Sequence, residues 1–365
     1  MSIKSDLKKE GIEVINQLDT LTVNSLAKNI SKKLCNTFPN YGLNENELFI
    51  KLSRLNMFIA KMPEGMAEAN YFYKNSSIYF NEHIPMEDIE EFAIHECIHF
   101  IQEIKDKRNY LIRMGLCDCT EFKIYGLALN EASVQLMSSK VNGIPKENVK
   151  YFGISFNTNS PSYYPLECCL VSQLAYLVGE DILFKSTLQS DDTFKYEFAK
   201  LTSRKTFITI ENSIDEILFA EEDIIKLNNK IAKISNKNKK IDDMLNKISE
   251  LKNKIREIFI KTQNLIISSY FDSAFLRIEN LEQLENYRKK LYNFKDFIGS
   301  CDNYTFFNNY YVEKMAMLEH KYNILENGGI ETAIFNKNSN EKKIYSLFKK
   351  IRRILFGKNS QEEEN

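Results

Sequence analysis

At 365 residues, 43% of them hydrophobic, the chain has enough apolar surface to bury a core and enough length for two or three domains. Its 49 basic and 50 acidic residues leave a formal charge of −1, which excludes a global field that would recruit nucleic acid or an acidic polymer. Residues 1–34 lack the apolar block of a signal peptide, no later run is long enough to span a membrane, and seven cysteines make an odd count for a disulfide framework, so the expected location is cytoplasmic.

Residues 1–35 and 43–54 carry apolar side chains at three and four spacing and are expected to be helical. The period then changes. "NMFIAKMP", "ANYFYKN" and "SSIYFNE" are short and rich in aromatic and β-branched residues, a pattern that predicts a small antiparallel meander. The third of these runs leads through Pro85 into a helix with Glu87, Asp88, Glu90 and Glu91 in its first turns and Lys105 and Lys107 at its end, the charge order favoured by the helix dipole. A second helix is expected from Thr120 to the Asn142-Gly143 stop, and a third from Pro165 to Gly179. From about residue 213, Ile224, Leu227, Ile231 and Ile234, then Ile241, Met244, Ile248, Leu251, Ile255 and Ile258, keep helical spacing around the polar "SNKNKK", which predicts a helical hairpin or one long helix with a polar break. Further helices follow to about Leu325. Near the end, Ile344, Leu347, Phe348, Ile351, Ile354 and Leu355 form an apolar stripe opposite Lys349, Lys350, Arg352 and Arg353. Such a basic amphipathic helix over residues 342–358 either packs on its own domain or contacts an anionic membrane or a protein.

The segment "EEFAIHECIHFIQE" spans residues 90–103 and places two of the four histidines four apart, with a glutamate directly after the first. On a helix, His95 and His99 share one face and can converge on a metal ion. Catalytic zinc commonly takes three His and carboxylate ligands and leaves a position for water, so a third ligand must come from outside the pair. Glu131 on the second helix leads over His83, Glu103 and Glu121. One carboxylate leaves the zinc a single net positive charge with which to polarise a carbonyl. Glu96, next to the first histidine, can reach the water without binding the metal and serve as general base. Cys117, Cys119, Cys168 and Cys169 offer another conceivable zinc set, but C-x-C and C-C lack the gap of common zinc knuckles, and buried free thiols are the preferred reading.

"HECIH" together with "GLALNEA" resembles the gluzincin branch of the zincin metallopeptidases over roughly residues 55–140. The resemblance implies zinc ligands His95, His99 and Glu131, the general base Glu96, and an edge strand, "SIYFNE", along which an extended peptide lies. The chain departs from that family at two points. The gap between His99 and Glu131 holds an additional segment around "LIRMGLCDCTEF". Gln135 stands where several members carry an aspartate that orients the first histidine; an amide can still accept the imidazole N–H, and Asn130 and Glu121 are alternatives. For the oxyanion, Tyr164 is the candidate donor, with Tyr163 beside it and Tyr125 a weaker choice, against a plain packing role for each.

The expected fold class is therefore α+β, mainly α. A zincin-like catalytic domain (1–212) with a small antiparallel sheet precedes a helical, hairpin or coiled-coil-like region (213–330) and a tail (331–365). The leading expectation is a Zn2+-dependent peptidase acting on a peptide or protein. The alternatives are a catalytically silent zincin-fold scaffold that uses the helical region and tail to contact a partner or membrane, and a toxin-like protease delivered into another cell.

Overall fold

The computed structural model describes residues 3–63, 65–120, 123–234 and 239–326. The basic tail at 342–358, the alternative ligand Glu121 and most of the polar break after Ile234 lie outside them. The chain is α+β and mainly α, and it divides into two compact units. The first comprises Met1–Ser273 with Phe294–Tyr304; the second comprises Ala274–Asn293 with Thr305–Asn365, described as far as Glu326. No described helix is long and apolar enough to cross a membrane.

In the first unit, the N-terminal segment expected to be wholly helical forms α1 (Ile3–Glu10), β1 (Glu13–Gln17) and α2 (Thr20–Thr37). Gly11 breaks the first helix at φ +76°, and Asp19 caps the next by accepting from the backbone N–H groups of Leu21 and Thr22. After α3 (Glu45–Leu52) come β2 (Asn56–Lys61), β3 (Ala69–Phe72) and β4 (Ser77–Asn81). They are not a meander. The sheet order is β1-β2-β4-β3, with β2 and β4 parallel and the other pairings antiparallel. The strand expected at the edge, β4, is interior: it pairs with β2 on one side and β3 on the other, and its Ile78, Tyr79 and Phe80 are all buried. The edge strands are β1 and β3, and β3 is the one against which α4 packs.

α4 (Ile89–Gln102) packs on β3 and β4 and buries Ile89, Ala93, Ile94, Cys97 and Ile98. It ends before Lys105, since Glu103 turns to extended backbone (φ −60°, ψ 125°) and opens β5 (Glu103–Lys105). The additional segment between the two motif helices is an antiparallel sheet of β5, β6 (Leu111–Met114), β7 (Cys117–Thr120) and β8 (Lys123–Tyr125). The next helix, α5 (Leu127–Val141), consequently starts seven residues after Thr120.

The hairpin β9 (Glu147–Tyr151) and β10 (Ile154–Thr158) follows, then α6 (Pro165–Val178), α7 (Glu180–Gln189) and α8 (Thr193–Leu201). α9 (Arg204–Ala232) and α10 (Lys239–Leu276) are separate helices joined by a Lys254–Glu216 ion pair of 2.6 Å. The boundary expected at 212 falls inside α9. Far from starting a new domain, α9 buries Ile210, Ile214, Ile217, Leu218 and Ile224 within the first unit.

The second unit is built from α11 (Leu281–Asn293), α12 (Phe306–Glu326) and the end of α10. Phe275 and Tyr287 meet edge to face at 6.0 Å in its interior, and Lys321 Nζ donates to Phe275 O at 3.0 Å.

Candidate metal centre

Four-residue spacing on α4 puts His95 and His99 on one face, and their Nε2 atoms lie 3.0 Å apart. Glu131 reaches them from α5, its Oε2 standing 3.4 Å from each Nε2. Ligands held tetrahedrally at about 2.0–2.1 Å from one ion are separated by about 3.3–3.4 Å, so this triangle has the size of one face of a four-coordinate site. Among the described residues it is the one His/Cys/Asp/Glu group whose donor atoms converge closely enough to hold a metal ion.

The charges agree with the geometry. Burial alone would lower the His99 imidazole, but the Glu131 carboxylate, with Glu96 behind it, pushes it up to about 9. Burial alone would likewise raise Glu131, and the imidazoles of His99 and His95 overcome it to hold that carboxyl well below the usual range. At neutral pH the cluster thus carries a proton among its three donors, the positive charge that a cation would replace.

Beyond the donor atoms, His95 Nδ1 stands 2.9 Å from Gln135 Oε1. An amide oxygen only accepts, so Nδ1 carries the proton and the lone pair of Nε2 is directed at the cluster. Asn130 does not take this role: its Oδ1 accepts from Leu116 N–H, and its Nδ2 donates to Gln102. His99 Nδ1 is buried with no hydrogen-bond partner among the described residues.

Glu131 owes its position to the start of α5. Gly126 caps the helix at φ +71°, and a Cβ there would lie 2.5 Å from Glu211 Oε1 and 3.2 Å from Leu116 O. Asp215 of α9 accepts from the N–H groups of Gly126 (3.1 Å) and Ala128 (2.8 Å), satisfying two donors that the helix cannot. Asp215 escaped the sequence reading because it is remote from the motif. Its one signal is a carboxylate beside Ile214, Ile217 and Leu218 on the buried face of a helix.

The triad faces a cleft of about 330 Å³ in the first unit, lined also by Glu96, Tyr163, Tyr164 and residues of β3. Glu96 is buried and accepts from Tyr71 N–H at 2.7 Å. Asn81 N–H donates to the carbonyl of Glu68, the residue before β3, so antiparallel alternation turns the main-chain groups of Ala69 and Tyr71 away from β4, towards the open edge.

Tyr164 stacks on His95 with ring centroids 6.3 Å apart. Pro165 behind it disfavours right-handed helical backbone, and Tyr164 takes φ 49°, ψ 43° instead. Burial, then the Glu131 and Glu96 carboxylates, push its phenol well up, so it is an O–H donor at any physiological pH.

The other named residues lie elsewhere. Tyr163 lines the cleft edge to face with Phe92, whereas Tyr125 belongs to β8 rather than to the Glu131 helix and is exposed. His83 is exposed in the turn after β4, and Glu103 pairs with Lys105 at 2.7 Å. All seven cysteines are free; Cys117 and Cys119 Sγ are 4.0 Å apart, while Cys168 and Cys169 sit on α6 against the carbonyls of Ala132 and Phe297. Compared with family models, with curated proteins and with solved structures, the chain matches none, and the functional reading rests on the geometry of this centre.

Proposed function

We propose that the chain is a zinc-dependent peptidase of gluzincin type. The observation that carries this reading is the triangle of His95, His99 and Glu131 donors, of tetrahedral size, with Glu96 next to it at the floor of a cleft. Two imidazoles and one carboxylate suit zinc better than the all-oxygen sets that calcium and magnesium take. A bound zinc ion supplies Lewis acidity to the scissile carbonyl and to the attacking water.

The chain's own residues do the rest. An extended peptide added along β3 pairs with the outward main-chain groups of Ala69 and with the Tyr71 carbonyl, the Tyr71 N–H being held by Glu96, which brings its backbone past Glu96. Glu96 accepts the proton of the attacking water and hands it to the amine that leaves. Tyr164, neutral and beside His95, donates to the oxygen on which negative charge develops.

Metal analysis of the purified chain, together with hydrolysis of a peptide library by wild type and Glu96→Gln, tests the assignment. Expected are about one zinc per chain, its loss in Glu131→Ala, and hydrolysis that disappears in Glu96→Gln while zinc is retained. A chain that binds no zinc, or a Glu96→Gln variant as active as wild type, overturns it.

A further inference from the structure

Glu68, Glu91 and Glu222 are the charged residues that line the cleft besides the triad and Glu96; among the described residues, no lysine or arginine does. Glu222 pairs at 3.1 Å with Lys226 on its own helix, a lysine it shares with Asp223. Glu68 and Glu91 have no such ion pair among the described residues. A divalent ion in the triad is offset by Glu131 and Glu96, so these two carboxylates leave the cleft negative.

Their placement is directed. Glu91 lies one turn before His95 on α4, on the same helix face as both histidines. Glu68 immediately precedes β3, at the end of the open edge. Both belong to the surroundings of Tyr163: after burial, the charges of Glu68 and Glu91 are what raise its phenol. Two carboxylates that share a cleft wall with a phenol attract a cation by charge and repel an anion.

Resting on the peptidase reading, we infer that Glu68, Glu91 and Tyr163 form a subsite for a lysine or arginine side chain flanking the scissile bond, so that the substrates are basic peptides. Glu68 and Glu91 determine specificity and take no part in proton transfer.

The test uses quenched fluorescent hexapeptides in which lysine, norleucine or glutamate is scanned through each position, with the zinc-loaded full chain. At one position lysine is expected to exceed norleucine in kcat/KM by about tenfold, with glutamate lower still. That ratio falls towards one in the Glu68→Gln/Glu91→Gln double variant and shrinks as salt is raised, and Glu91→Lys shifts preference from lysine to glutamate. Hydrolysis that is indifferent to lysine at every position overturns the subsite and leaves the peptidase reading standing. Hydrolysis of no peptide overturns the peptidase reading itself. Fluorescence anisotropy of the same peptides then still decides on the subsite: tighter binding of the lysine peptide, lost in the double variant, supports it, and equal binding of lysine and norleucine peptides overturns it.

Discussion

At the scale of single residues, the centre separates groups that hold a cation from groups that aim them. Glu96→Gln preserves the shape of the side chain and removes its basicity, so kcat is expected to fall about 10²–10⁴-fold with zinc content unchanged, as read by steady-state kinetics beside elemental analysis. Gln135→Leu leaves His95 Nδ1 without its acceptor; zinc affinity should drop about 10–100-fold in a competitive chelator titration, because nothing then fixes the tautomer that presents the Nε2 lone pair. His95, Glu96 and His99 could be read from the sequence because four-residue helical spacing is a local rule. Glu131 followed from charge balance and from the resemblance. The contact between Glu96 and Tyr71 could not be foreseen, since it depends on which strand of the sheet is outermost.

At the scale of elements, α5 is held at its first turn from another helix. Asp215→Ala removes the acceptor of the Gly126 and Ala128 N–H groups and is expected to cost about 1–2 kcal/mol in chemical denaturation. The same variant should weaken zinc binding, because Glu131 sits in the second turn of the loosened helix. Helices with a clear apolar period, such as α6, agree with the sequence within a residue or two. The strands were less legible. Their order is a matter of long-range pairing, and the inserted β5 to β8 sheet is made of three- and four-residue strands, too short to show a period. α9 likewise shows an amphipathic pattern that fits a free-standing hairpin equally well, and its buried Glu211, Asp215 and Glu221 are what hint at its packing partners.

At the scale of the whole molecule, stability should depend on pH through a buried pair of acids. Glu167 of α6 is fully buried and Glu221 of α9 nearly so; burial raises Glu167 from the ordinary 4.5 to about 7 although its hydrogen bond with Glu221 works the other way, and burial followed by the Glu167 charge raises Glu221 to about 10. The folded chain thus keeps protons that the unfolded chain releases above 4.5. The contribution of the pair is full below that pH and is lost as the pH rises, through about 7 for Glu167 and about 10 for Glu221. The Tm of wild type should fall by on the order of 5 °C between pH 6 and pH 9, and Glu221→Gln should flatten the decline. Chelation is a separate lever. Stripping zinc at fixed pH should lower Tm in wild type and change nothing in Glu131→Ala, as scanning calorimetry with and without a chelator would register.

On the proposed peptidase reading, the hydrogen bond from Tyr71 N–H to Glu96 ties docking to reactivity. A guest strand zipped onto the outer rim of β3 would stiffen the very backbone amide that steadies the carboxylate, so occupancy of the rim would itself sharpen the aim of the proposed base. A short ligand that fills the pocket without engaging the rim would leave that support slack, and length of contact along β3 would become a determinant of turnover as well as of affinity.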